Sequence, residues 1–360
     1  MEEARQRALL RLAHLELPPR RLLSLLEQFD DPVEVFRASR HDLLRIEGMT
    51  EAAAVRILNA PELSAEAWQR WSHSNARILT WRDDGYPAPL REIDDFPPLL
   101  FVRGSLHERD RFAVAIVGTR KPTPYGKSVA EQLARELSRY GLTVVSGGAR
   151  GIDTAAHTGA LRAGGRTIAV LGCGVDVAYP PESQSLFNEI ATQGAVLSEY
   201  PPGTQPDAWR FPARNRIVSG LSLGVLVVEA PNDSGALITA THALEQGKPV
   251  FAVPGNIHSG QSAGCHRLIK DGATLVDSVE DIVRALGIVP EPPPERTTNT
   301  MHLTTTQQEV LRALSLTPKH VDALADELRL SVAQLNAELL ILEMHNMVRR
   351  QPGNAYVRVP

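Results

Sequence analysis

Two cysteines, Cys173 and Cys265, are all that the 360 residues contain, too few for a disulfide framework or a four-ligand zinc site. Long apolar runs are missing too. Stretches such as Leu223 to Val228 fall far short of the roughly 20 residues that cross a bilayer, which argues against a membrane role. The opening Met1-Glu2-Glu3-Ala4-Arg5 is no signal peptide, so the cytoplasm is the expected compartment. Nor is there an excess of positive charge. Thirty-eight Lys plus Arg stand against 42 Asp plus Glu, a net charge of -4, so the whole-chain field repels nucleic acid and any grip on it needs a local basic site. What is present is ordinary for globular proteins: 43% hydrophobic and 22% charged residues exclude disorder and collagen-like architecture. At about 100 to 200 residues per domain, the length predicts two or three domains.

Residues 1–78 place leucines and isoleucines at helical spacing (Leu9, Leu12; Leu22, Leu25, Leu26; Leu43, Leu44; Ile57, Leu58), with Asp31-Pro32 as a breaker. A small helical domain follows from that pattern. Its 11 basic and 12 acidic residues give it no phosphate-binding footprint of its own. Over residues 79–288 the pattern becomes α/β. Short β-branched runs are expected as strands at Ala113 to Val117, Thr143 to Ser146, Thr167 to Leu171, Ala195 to Ser198, Val225 to Val228, Val250 to Val253 and Thr274 to Val276. Helices are expected between them at Lys127 to Tyr140, Ile152 to Ala163, Ser185 to Gln193, Leu237 to Glu245 and Val279 to Leu286. Strict alternation implies a Rossmann-like, doubly wound parallel sheet covered on both faces. Residues 289–302 hold Pro290, Pro292, Pro293 and Pro294 and read as an extended linker. Residues 303–360 read as three helices and a hairpin, a winged helix whose third helix, Val332 to His345, carries no Lys or Arg. Six basic against six acidic residues there favour a protein contact or plain packing over DNA reading.

Ligands of open α/β sheets sit at the carboxyl ends of the strands. The first expected strand ends in Gly118-Thr119-Arg120-Lys121, and the second in Ser146-Gly147-Gly148-Ala149-Arg150-Gly151-Ile152-Asp153. The fifth ends in Glu229-Ala230-Pro231-Asn232-Asp233-Ser234-Gly235. Between them lies Arg210-Phe211-Pro212-Ala213-Arg214-Asn215-Arg216. Glycine turns and helix N-termini offer amides to phosphate, arginines add bidentate charge, and Phe211 offers a face for an unpaired base. The combination points to single-stranded nucleic acid. Each member also has a plainer reading: tight turns for the glycines, salt bridges to Glu199 and Glu229 for the arginines, and helix-start packing for Phe211.

Enzymatic readings find less support. Neither a G-x-x-x-x-G-K-[ST] element nor a G-x-G-x-x-G pattern occurs at these turns, and Ser146 lacks the glycine that precedes a nucleophile elbow. Asp153 and His157 share a helix face, but a first-turn carboxylate is more often a cap, and the other histidines have no ligand spacing. Glu229 has the position of a base, with pairing to Arg214 or Arg216 as the plainer role.

Taken together, Gly118-Thr119-Arg120, Ser146-Gly147 with Ala149-Arg150-Gly151-Ile152-Asp153 and His157, Tyr179-Pro180, Ser198-Glu199, Phe211-Pro212 with Arg214-Asn215-Arg216, Glu229-Ala230 with Ser234-Gly235 and Thr239, and Val253-Pro254-Gly255 resemble the DNA-processing protein A family, DprA or Smf. Tyr86-Pro87 and Arg103-Gly104 fit the segment leading into that domain, whereas Gly148 stands where the family often has leucine. The resemblance implies a non-catalytic mediator of natural transformation that protects incoming single-stranded DNA and loads RecA recombinase onto it. It implies a homodimer, with single-stranded-DNA-binding protein as a further candidate partner and no metal or cofactor. Phosphate contacts carry over to Gly118, Thr119, Arg120, Ser146 and Gly147, and strand contacts to Arg150, Phe211, Arg214 and Asn215. Lys121, Gly148, Gly151, Arg210, Arg216, Ser234 and Gly235 complete the expected site. The stretch Leu44 to Met49 with Ala52 to Ile57 is similar to a helix-hairpin-helix or sterile-alpha-motif unit. The enzymatic alternative is a phosphoribohydrolase of the lysine-decarboxylase-like group. Its Pro-Gly-Gly-x-Gly-Thr-x-x-Glu loop has no counterpart in Pro231 to Thr239.

Overall fold

The computed structural model describes residues 2–288, 303–315, 317–345 and 347–358. The expected linker therefore lies outside the described residues. The chain divides into two compact units, Met1–Glu291 and Pro292–Pro360.

The first unit opens with six helices: α1 Glu2–Ala13, α2 Pro19–Gln28, α3 Pro32–Val35, α4 Arg40–Leu44, α5 Glu51–Leu58 and α6 Ala65–His73. Side-chain caps from Asp31, Ser39, Thr50 and Ser64 start α3 to α6, each satisfying an amide that the first turn leaves open. Nine strands follow: β1 Ala76–Thr80, β2 Leu99–Gly104, β3 Ala113–Val117, β4 Thr143–Ser146, β5 Thr167–Val170, β6 Ala195–Ser198, β7 Gly224–Val227, β8 Val250–Ala252 and β9 Thr274–Leu275. The helices among them are α7 Ala88–Arg91, α8 Pro124–Arg139, α9 Ile152–Arg162, α10 Gln184–Gln193, α11 Arg210–Gly220, α12 Ala236–Glu245, α13 Ala263–Lys270 and α14 Val279–Ala285.

The strands form one sheet in the order β1-β2-β6-β5-β4-β3-β7-β8-β9. The seven from β3 onward are parallel, as their alternation with helices requires, and all but the exposed edge strand β9 are buried throughout. The hairpin β1-β2 adds to β6 antiparallel. Those two strands, α11 and α13 were not anticipated from the sequence. Alternation along β3 divides the core: Val114 and Ile116 join α8, α9 and α14, while Ala113, Ala115 and Val117 join α11, α12 and α13. A third cluster runs from Leu9, Leu25 and Ile57 of the N-terminal helices to Phe101, Ala169 and Val196 of the sheet, with Trp71 edge-on to Phe101 at 6.1 Å.

The second unit holds α15 Thr305–Ala313, α16 Val321–Leu328 and α17 Val332–Met344, with strands β10 Lys319–His320, β11 Val348–Gln351 and β12 Ala355–Arg358. The three strands pair in the order β10-β12-β11, and Val310, Leu324, Leu335, Leu339 and Leu342 fill the core. This is the winged helix expected from the sequence.

Candidate nucleic-acid interface

Strand order reverses at β3: the chain proceeds through β4, β5 and β6 on one side and returns as β7, β8 and β9 on the other. At such a switch point the loops after neighbouring strands diverge and leave a crevice. The Thr119 amide donates to the Glu229 carbonyl at 2.6 Å, closing the crevice floor. Above it opens a cleft of about 660 Å³ lined by Gly118, Thr119, Arg120 and Lys121 after β3, and by Pro231, Ser234, Gly235 and Ala236 before and within α12. Phe211, Arg214 and Asn215 of α11 form its third wall.

Arg120 and Lys121 are exposed at this cleft. The Arg120 guanidinium carbon lies 5.4 Å from the Phe211 ring centroid, close enough for a cation–π contact. The Asn215 side-chain amide donates to the Gly235 carbonyl at 3.3 Å, tying α11 to the start of α12. The Ser234 hydroxyl accepts from the Ala236 amide at 3.3 Å, just ahead of the Gly235 N-cap. Arg150 lines an adjoining recess with Arg120, Tyr179 and Phe211, where it forms a two-pronged, half-exposed pair with Glu182.

In the turn after β4, Ser146 and Gly147, both expected as phosphate contacts, make bonds within the protein, and Gly147 also lines the cleft. Ser146 is fully buried, and its hydroxyl donates to the Ile116 carbonyl at 2.6 Å. The amides of Gly147 and Ala149 both donate to the Asp153 carboxylate, at 3.1 and 3.2 Å. The Gly147 carbonyl accepts from Arg214. A Cβ at Gly147 would lie 2.6 Å from Arg214 Nη2 and 2.7 Å from Asp153 Oδ2, so a side chain cannot fit. Gly148 has φ +67°, and a Cβ there would lie 2.9 Å from Phe187 Cε1. Glycine is thus the residue that this backbone accepts. Gly151 sits at the N-cap of α9 with φ +83° and packs against the Thr119 carbonyl. The Ser146 hydroxyl and the amides of Gly147 and Ala149 thus bond within the protein and hold the turn in place.

Helical periodicity corrects the arginine cluster. Phe211, Arg214, Asn215 and Val218 of α11 face the cleft, whereas Arg210 and Arg216 leave on other faces. Arg216 is buried and pairs with Glu199 at 2.7 Å and Asp95 at 3.1 Å. Arg210 pairs with Glu16 of the N-terminal helical region at 2.7 Å and lies over Tyr200 and Trp209. Arg214 borders the cleft but is only 4% exposed, and its guanidinium donates to the Gly147 and Val170 carbonyls. It shapes the cleft from beneath.

Glu229 pairs with neither Arg214 nor Arg216. Buried, it accepts from the Thr123 amide at 2.8 Å and the Thr123 hydroxyl at 2.6 Å, fixing the start of α8. Burial pushes the Asp153 carboxyl up to about 6, with the Arg214 charge acting against the rise. Burial pushes His157 down to about 3. The Thr167 hydroxyl donates to the Val144 carbonyl, so its lone pair accepts from His157 Nδ1 at 2.7 Å and the ring is neutral. Among the described residues no group of three or more His, Cys, Asp or Glu side chains is placed to hold a metal ion, and no helix is long and apolar enough to cross a membrane.

Tyr179 escaped the sequence reading of the site, although Tyr179-Pro180 belongs to the motif series. Its ring stacks on Phe211 with centroids 5.3 Å apart and planes 28° from parallel. Glu182 was missed as well, because nothing local marks a carboxylate as the partner of an arginine 32 residues earlier.

A doubly wound α/β domain with a cationic, aromatic cleft at its switch point, accompanied by a winged helix, defines a class of phosphate-strand binders. The family described as DNA recombination-mediator protein A matches residues 77–287, and the DprA winged helix domain matches residues 289–354. The chain belongs to the DNA recombination-mediator protein A family. It is 38% identical to Protein Smf of Escherichia coli over 325 residues, covering 88% of this chain and 87% of that one. Over 201 residues it is 50% identical to DNA processing protein DprA of Streptococcus pneumoniae, 56% of this chain and 71% of the relative. The solved structure of the pneumococcal protein superposes with TM-score 0.67 at 40% identity, covering 76% of this chain and 95% of that one. DNA processing protein A from Helicobacter pylori, solved to describe its single-stranded DNA binding mode, superposes with TM-score 0.54 at 34% identity over 60% of this chain and 97% of its own.

Proposed function

We propose that this chain holds single-stranded DNA in the switch-point cleft, shields it and loads RecA recombinase onto it during natural transformation, without catalysing a reaction. Family membership supports the role, and the relative from Helicobacter pylori is described as a single-stranded DNA binder. The observation that carries the reading is the placing of Arg120 beside Phe211 at the mouth of the cleft. Charge for the backbone and aromatic surface for the base then meet one nucleotide together, which a duplex with its bases stacked inside cannot match. The non-enzymatic character is supported by Glu229, the carboxylate best placed as a base, whose oxygens are engaged by Thr123. The cytoplasm is the compartment in which RecA would be met.

The homodimer is assigned to the free edge of β9. It ends the sheet, and its two residues are exposed, Leu275 at 44%. An unpaired edge is a ready template for a second copy. The winged helix is assigned a protein contact, single-stranded-DNA-binding protein or RecA, because α17 has no basic residue.

Fluorescence anisotropy with labelled oligonucleotides tests the binding role. Arg120→Glu is expected to weaken single-strand affinity and to lower the slope of log affinity against log salt by about 0.7 for each phosphate no longer neutralised. Arg216→Gln, whose partner is Glu199, is expected to leave that slope unchanged. Equal binding by wild type and a folded Arg120→Glu protein would refute the reading.

A further inference from the structure

Resting on the reading above, we propose that Tyr179 is a base-binding residue, the outer member of a two-ring platform on which an unpaired base of the strand stacks. Tyr179 ends the loop that follows β5 and precedes the short helical turn Pro181–Ser183. That position brings it to the boundary between the main cleft and the adjoining recess, and it lines both. Tyr179 is 36% exposed. At the rim of a cationic cleft such a ring offers a face on which an unpaired base can stack.

The hydroxyl does not explain the residue. The hydroxyls of Tyr86, Tyr125 and Tyr140 donate to Pro97, Pro254 and Glu280. Among the described residues the Tyr179 hydroxyl makes no such bond. What Tyr179 does contribute is a ring nearly parallel to Phe211, at 28° and 5.3 Å. Phe211 is itself partly covered, since Arg120 lies over it at 5.4 Å and a Cβ on Gly172 would touch its edge at 3.0 Å. With Arg120 and Tyr179 both against Phe211, the inner ring is held in place by its own chain and the outer ring retains the open surface. Parallel stacking on Phe211 fixes the plane of Tyr179 in advance, so a base landing there meets an ordered face. Arg120 and Arg150 both border the same recess as the platform and supply charge there for the flanking phosphates.

The test uses the full chain with Tyr179→Phe, Tyr179→Leu and Tyr179→Ala. Each is titrated with an oligothymidine and with an abasic oligonucleotide of equal length, and each is checked for folding by thermal melting. Tyr179→Phe is expected to bind both strands as wild type does. Tyr179→Leu and Tyr179→Ala are expected to lose roughly five- to hundredfold in affinity for oligothymidine, the range set by one stacked base, and nothing for the abasic strand. An equal loss on both strands would make Tyr179 a structural support and overturn the proposal, as would no loss on either. Arg120→Gln, run alongside, separates the two levels. If it too leaves both strands unaffected, the cleft itself is not the binding site. If it weakens both while Tyr179→Leu weakens neither, the cleft stands and only the platform falls.

Discussion

Arg214 and Gly147 lie 67 residues apart and fix one another: the guanidinium donates to the glycine carbonyl, and the missing side chain of the glycine is what lets it approach. Asp153 completes the clamp by accepting two amides of the same turn. A buried cation thus organises the turn nearest the cleft while staying away from solvent.

Disturbing the clamp should act on folding first. Arg214→Lys removes the rigid planar guanidinium whose Nη1 donates to both the Gly147 and Val170 carbonyls, leaving buried acceptors unsatisfied, and is expected to destabilise the protein by about 3 kcal/mol. Gly147→Ala drives a methyl into Arg214 and Asp153 and is expected to cost about 1–3 kcal/mol. Urea denaturation followed by circular dichroism measures both. A midpoint unchanged in either variant would mean that the clamp does not hold the turn.

Acid stability should reveal Asp153 and His157 as opposing contributors. Asp153 rises from its ordinary 3.8 to about 6 on folding, so between those values the folded chain holds the extra proton and stability falls as pH increases. His157 drops from 6.5 to about 3, so between those values the unfolded chain holds the extra proton and stability rises with pH. From about pH 4 to pH 6 the two slopes cancel. Asp153→Asn removes one of them. Relative to wild type, its stability is expected to fall by about 1.4 kcal/mol for each pH unit of acidification in that window. Parallel stability–pH curves for the two proteins would contradict the assignment.

Arg150 is held by Glu182 in a pair more than half exposed on both sides. Pairs so open are weak, and a phosphate offers the same two-pronged geometry with more charge. The strand is therefore expected to displace the carboxylate. Glu182→Gln should bind single-stranded DNA a few-fold more tightly, and that gain should vanish when Arg150→Gln is added. A gain that survives in the double variant would reflect the general loss of a negative charge instead.

The parallel core was legible because strands such as β3, β4, β5 and β6 are short apolar runs that lead into glycine or a small polar residue, and burial on both faces needs no alternation. The hairpin β1-β2 was not, since Leu99–Val102 is buried throughout and its antiparallel pairing depends on contacts with β6. Helix α11 carries Arg210, Pro212, Arg214, Asn215 and Arg216 before its first apolar pair, Ile217 and Val218, so its period is hidden. That hidden period explains why seven adjacent residues looked like one basic site. Arg120, Phe211 and Asn215 remain at the cleft, while Arg210 and Arg216 point elsewhere. A turn that binds an anion and one that binds its own aspartate use the same residues, so the burial of Ser146 and the bond from the Gly147 amide to Asp153 were not legible.

The cleft is most directly tested by photocrosslinking the full chain to an oligonucleotide carrying 5-iodouracil and mapping the modified residues by mass spectrometry. The predicted adducts fall on the peptides holding Phe211 and Tyr179 and disappear in Arg120→Glu. Adducts confined to the N-terminal helices or to the winged helix would contradict the account.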